Sequence, residues 1–154
     1  MGALNDPSAA FIAAVRRLLR ADAGVVALVG AKIHDRHPSD FTPDERKEAF
    51  PYIELGEIQC IDDGSACGEG DVEAILTLRC WSRPVRDGLP VGKTRAMEIA
   101  SAVKAALHTR EDDLFDIPEF ACSALHVESV ATQTETDGKT TQAILSVRAL
   151  IQPR

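Results

Sequence analysis

The chain has 154 residues, 45 % of them hydrophobic and 27 % charged, a composition that excludes wholesale disorder and suits a single domain. A chain of this size buries roughly 70 % of its unfolded surface in one core. Twenty-four acidic residues against 17 basic ones leave a formal net charge of -7, which argues against a surface that grips nucleic-acid phosphates.

Asp6 and Pro7 open a predicted helix over Ser8 to Arg20, with the carboxylate at the cap and proline at the first helical position. Phe11, Val15, Leu18 and Leu19 share one face of it, and Arg16, Arg17 and Arg20 complement the C-terminal end of its dipole. A second, short helix is expected over Asp22 to Leu28, stopped by Gly30, followed by an extended piece from Lys32 to His37 that ends at Pro38. Ser39 to Phe50 is polar without a sustained period and reads as an exposed loop and candidate contact arm, with one helical turn at Pro43 to Lys47.

Pro51 to Ile61 reads as a strand bulged at Gly56, and Asp62 to Gly70 as a glycine-rich acidic turn. Asp71 to Ser82 alternates: Val72, Ala74, Leu76, Leu78 and Cys80 face one way, Glu73, Thr77 and Arg79 the other. Ile75 and Trp81 interrupt the polar second face, so part of that face is covered either by a helix or by a neighbouring subunit. As interface anchors they would be removable without unfolding, and Trp81→Ala would leave the fold largely intact but impair assembly.

Beyond a loop at Pro84 to Pro90, Lys93 to His108 carries apolar residues at Ala96, Ala100, Val103 and Leu107, widened by Met97, Ile99 and Ala106, and reads as the strongest helix. Arg110 to Glu119 is an acidic loop. Phe120 to Thr134 and Thr140 to Gln152 are strands of a hairpin turning at Asp137-Gly138, and Ala143, Leu145, Val147, Ala149 and Ile151 form one apolar face. The order predicts an α+β fold: a mostly antiparallel sheet of about four to five strands with helices packed on one side.

No segment carries a convincing catalytic or cofactor motif. Gly88-Leu-Pro-Val-Gly92-Lys93-Thr94 has three residues between its glycines where a phosphate-binding loop needs four. His34 and His37 lie three apart, which an extended strand places on opposite faces, so a metal site there needs ligands from elsewhere. Asp62 and Asp63 sit in a glycine-rich turn where solvation explains them, and the dipole explains His108 near its helix end. Cys60, Cys67, Cys80 and Cys122 form no Cys-x-x-Cys pair and read as reduced structural thiols. No apolar run approaches the roughly 20 residues of a membrane span. Asn5 and Asp6 give the N-terminus the wrong polarity for a secretory signal, so the expected location is the cytoplasm.

Several stretches in order carry a resemblance: Ala21-Asp22-Ala23-Gly24-Val25-Val26-Ala27-Leu28-Val29-Gly30, Ile33-His34, Phe50-Pro51-Tyr52-Ile53-Glu54-Leu55-Gly56-Glu57, Leu76-Thr77-Leu78-Arg79-Cys80-Trp81-Ser82, Val103-Lys104-Ala105-Ala106-Leu107-His108 and Val147-Arg148-Ala149-Leu150. From about residue 8 to 152 the chain resembles the tail-completion or tail-terminator proteins of long-tailed phages and gene transfer agents. The resemblance implies a structural, non-enzymatic protein without cofactor. It implies a ring, commonly hexameric, at the head-proximal end of the tail tube of a virion or phage-like particle. That ring ends tube growth and joins the head connector, and DNA passes through it without specific binding. Expected partners are further copies of the chain, the tube protein and the connector or stopper; a head-side adaptor, or a small metal- or ligand-binding domain, is the alternative. Expected contact residues are Ile75 and Trp81, the acidic loop residues Asp62, Asp63, Glu69 and Asp71, and Asp137 and Lys139 at the hairpin tip.

Overall fold

The computed structural model describes residues 6–62, 71–84 and 92–153. The elements are α1 (Ser8–Ala21), α2 (Ala23–Val29), β1 (Ile33–His34), a 3-10 turn (Pro38–Asp40), α3 (Pro43–Ala49), β2 (Tyr52–Asp62), β3 (Val72–Ser82), α4 (Gly92–Leu107), α5 (Glu111–Leu114), β4 (Phe120–Thr134) and β5 (Thr141–Pro153). They form the expected α+β architecture. One five-stranded sheet has the order β1-β2-β3-β5-β4, antiparallel except where the two-residue β1 runs parallel to β2.

Local chemistry sets most of the boundaries. Asp22 caps α2 by accepting from the Val25 N–H at 3.0 Å, and Gly30 ends it at φ 62°, a conformation glycine adopts without strain. At α1 the cap falls on Pro7, one residue later than expected, and Asp6 instead accepts from the Ser8 N–H at 2.9 Å. The segment expected as an exposed loop is more ordered than its polarity suggests. Thr42 and Glu45 form a reciprocal capping box around Pro43, which starts α3, and Phe41 and Ala49 are buried. The acidic stretch after α4 likewise contains α5, whose Leu114 is fully buried in the main core.

That core lies between the sheet and the layer of α1, α2, α4 and α5, filled mainly by aliphatic side chains such as Val15, Leu19, Leu76, Val103, Leu107, Leu145 and Val147. Met97, expected on the buried stripe of α4, is 53 % exposed instead. The outer flank of the stripe points away from the sheet. Cys80 is buried within the same core, which pushes its thiol up to about 12 and keeps it unreactive. The short α3 is the exception to one-sided packing: it lies with the 3-10 turn on the opposite face, over Tyr52 and Trp81.

The bulge expected at Gly56 is present as a register shift between Leu55 and Ile58. A Cβ on Gly56 would stand 2.9 Å from the Thr77 carbonyl oxygen and 2.6 Å from Arg79 Nη1. Arg79 has a flexible end; the Thr77 backbone does not. Gly56→Ala is therefore expected to cost about 1–3 kcal/mol by forcing β2 away from β3, read as a lower urea midpoint at unchanged m-value.

Candidate assembly interface

Strand alternation gives the sheet a second, outer face, and the described residues cover part of it. On the covered part, Tyr52 pairs with Trp81 across β2 and β3, and Phe41, Ala49 and Phe50 close over them. Aromatic edges fill this cluster, with Phe41 and Tyr52 centroids 5.4 Å apart and the His37 ring 5.3 Å from Trp81. Beneath it Glu54, 5 % exposed, accepts from Trp81 Nε1 and from Arg79 Nη1, each at 3.3 Å. Arg79 also donates to Glu57 at 2.9 Å, and these bonds hold the Glu57 carboxyl below its ordinary range.

Trp81 is thus 1 % exposed under the chain's own residues. Of the two covers open to it in the sequence, the observed one is internal. The other interruption, Ile75, remains half-buried on the outer face, where no element of the described chain lies over it. It sits in the row Gln59–Ile75–Arg148–His126; the adjacent row is Ile61–Glu73–Leu150–Ala124. Ile61 at 43 % and Leu150 at 39 % are among the exposed large apolar residues. Glu73 lies between them in the row and accepts from Arg148 of the adjacent row, through Nε at 3.0 Å with a second, shorter bond from Nη2; Arg148 also stands 4.0 Å from Glu128. An apolar surface crossed by a small ion network suits protein contact more than catalysis. Sequence reasoning missed Leu150 and Ile61, although the alternation that identified Ile75 also places them on this face.

The remaining contact candidates scatter. Asp62 is exposed at the end of β2 and Asp71 half-buried before β3, while Asp63, Glu69 and Cys67 lie outside the described residues, as does Gly88 of the phosphate-loop-like run. Asp137 and Lys139 occupy the β4–β5 turn, far along the hairpin from Ile75. Asp137 has a local task there: its carboxylate accepts from the backbone N–H groups of Lys139 and Thr140, both at 2.8 Å, and from Thr140 Oγ1 at 2.6 Å. Arg83 clamps the turn to the end of β3, donating to Thr140 Oγ1 at 2.9 Å with its guanidinium over the Phe50 ring.

The histidines are used locally as well. His37 Nδ1 accepts from the Ser39 N–H, His34 packs against Phe41 and Tyr52, and His108 Nδ1 accepts from the Val127 N–H on the β4 edge. Thr109, beside His108, donates to the Leu125 carbonyl, so the turn after α4 occupies part of that edge. No group of three or more potential metal ligands comes together among the described residues.

Two outcomes are expected from this geometry. Trp81→Ala should cost about 3–5 kcal/mol in chemical denaturation, because it empties the second core and removes a donor from buried Glu54; wild-type stability would return Trp81 to the free surface anchors. For Asp137, hydrogen bonds from the Thr140 side chain and backbone lower its pKa from 3.8 to about 2. A depressed folded-state value means that the stabilisation is complete above the unfolded pKa and is lost as pH falls through the folded one. Asp137→Ala should therefore cost about 0.5–1 kcal/mol at neutral pH, a modest effect for a carboxylate that is 43 % exposed. The difference from wild type should vanish between pH 3.8 and about 2 in pH-dependent thermal melts.

The sequence-family profile described as Tail completion protein gp17 matches residues 13–152. In fold the chain is similar to a chain in a structure titled "Virion of native gene transfer agent (GTA) particle", with a TM-score of 0.70 at 24 % identity, covering 90 % of this chain and 92 % of that one. No curated protein matches the sequence. A profile match across nearly the full length establishes that the chain belongs to the tail completion protein gp17 family.

Proposed function

We propose that copies of this chain close into a ring, hexameric as the resemblance implies, at the head-proximal end of a phage-like tail tube, where the ring ends tube polymerisation and joins the tail to the head connector. The observation that carries the reading is the family match over residues 13–152. A structural role in a tail requires surfaces more than a pocket, and the outer sheet face around Ile75 and Leu150, uncovered by the described residues, is a surface of the required kind. Heterologous contacts between identical subunits generate a closed ring when the rotation per subunit fits. The tube protein and the connector are the further partners in this reading.

The charge of the chain is consistent with DNA passage through such a ring. At a formal -7 per copy, the wall repels phosphates and gives DNA nothing to adhere to as it moves. Deleting the gene in the producing host and measuring tails by electron microscopy tests the proposal. Overlong tubes without heads are the expected result, and tails of normal length detached from heads would place the duty at the joint alone. Normal transducing or infectious particles would overturn the reading.

A further inference from the structure

We infer that the part of the outer sheet face around Ile75 and Leu150, which no described residue covers, docks, on a second copy of this chain, against the groove between α4 and the distal part of β4. This deepens the ring reading and rests on it. The groove is a cavity of about 320 Å³ with Met97, Ser101 and Lys104 on its helical wall and Ala131 and Thr132 on the strand wall. Positions 97, 101 and 104 follow one another at helical spacing, so they line a single side of α4. Met97 is the most exposed large apolar residue described, and its flexible thioether adapts to whatever side chain enters.

Sheet patch and groove lie on different layers of one subunit and cannot satisfy each other within it. A contact that covers both must join two copies through different surfaces, which is the heterologous geometry a ring needs. Charge favours the same pairing. The sheet patch holds two carboxylates, Glu73 and Glu128, around the single cation Arg148, whereas the groove holds Lys104, which has no ion-pair partner among the described residues. Docking the patch on another patch would double the excess negative charge at the contact. Docking it on the groove offsets that charge with Lys104, leaving Leu150 to enter beside Met97.

Cysteine cross-linking distinguishes the outcomes. Leu150→Cys and Met97→Cys, singly, mixed and combined in the full chain, would be oxidised both in purified protein and in purified particles. Wild type serves as the control for the native thiols, and circular dichroism as the check on folding. The double variant is expected to give a covalent ladder extending to the closed ring, and the mixture of single variants a cross-linked dimer that stops at two chains. Each single variant alone should stay at the wild-type background. A covalent dimer from Leu150→Cys alone would show a self-paired patch, and one from Met97→Cys alone a self-paired groove; either would overturn the assignment. Absence of the ladder would also overturn it, and sedimentation of wild type then separates the two claims. A ring without the ladder leaves the ring reading standing with its contact elsewhere, whereas a chain that is monomeric in solution and on particles removes both.

Discussion

Strands β3 and β5 pair without a bulge from Val72↔Ile151 to Ser82↔Thr141, and the rest of the molecule is arranged on that register. Side chains alternate with a period of two, so these eleven rows decide which residues enter the core and which line the outer face. A slip of one residue would carry Leu76, Leu78, Leu145 and Val147 to the outside and bring Glu73, Arg79 and Arg148 under the helices. The neighbouring strands are less regular. Bulges in β2 and β4 let the flanks twist and close around the straight central pair, and Gly56 lets Arg79 cross the β2 bulge toward Glu57.

The outer face is divided by charge burial as well as by coverage. Glu54 is almost fully buried and keeps its charge partnered through Arg79 and the Trp81 indole, so removing either partner leaves an acidic group in a poorly solvated place. The cover formed by Phe41, Ala49 and Phe50 packs with Tyr52 and Trp81, and Glu54 in turn gives the indole nitrogen its acceptor. Toward the other end of β3 the ion network of Glu73, Arg148 and Glu128 is exposed, and no residue of the described chain covers it. One sheet face thus carries an ion network anchored on a buried carboxylate at one end and one that the described residues leave exposed at the other.

What was legible in the sequence follows the range of the signal. The β3 and β5 alternation, the Asp22 cap and Gly30 stop of α2, the Asp137–Gly138 turn and the buried stripe of α4 are local patterns, and each appears in the structure at close to its expected bounds. The cover segment was not legible as a cover. Its few apolar residues, Phe41, Ala49 and Phe50, show no period, and they make sense only against Tyr52 and Trp81 of the sheet. A usable signal was present in Thr42 and Glu45, whose spacing is that of a capping box. Met97 and Leu150 share another difficulty: periodicity says that a residue flanks an apolar stripe or faces outward, but not whether another element covers it. The pairing of the two-residue β1 with β2 is a tertiary event that no window of sequence contains.

The arginines explain how an acidic chain can offer contact surfaces that are not uniformly repulsive. Arg17, Arg36, Arg79, Arg83, Arg95, Arg110 and Arg148 each pair with a carboxylate of the same chain. Guanidinium groups spent in this way fix local geometry but bring little net attraction toward another subunit. In the proposed ring, copies carrying -7 each would associate through buried apolar area, with charge selecting which areas meet. The sheet face that the described residues leave uncovered meets that requirement: its apolar residues surround an ion network in which the single arginine is outnumbered by carboxylates, so the surface that complements it is apolar with one free cation. The α4 groove, with Met97 and Lys104 on one wall, has that composition, and it lies on the other layer from the sheet patch, so in the proposed docking the two meet only between different copies.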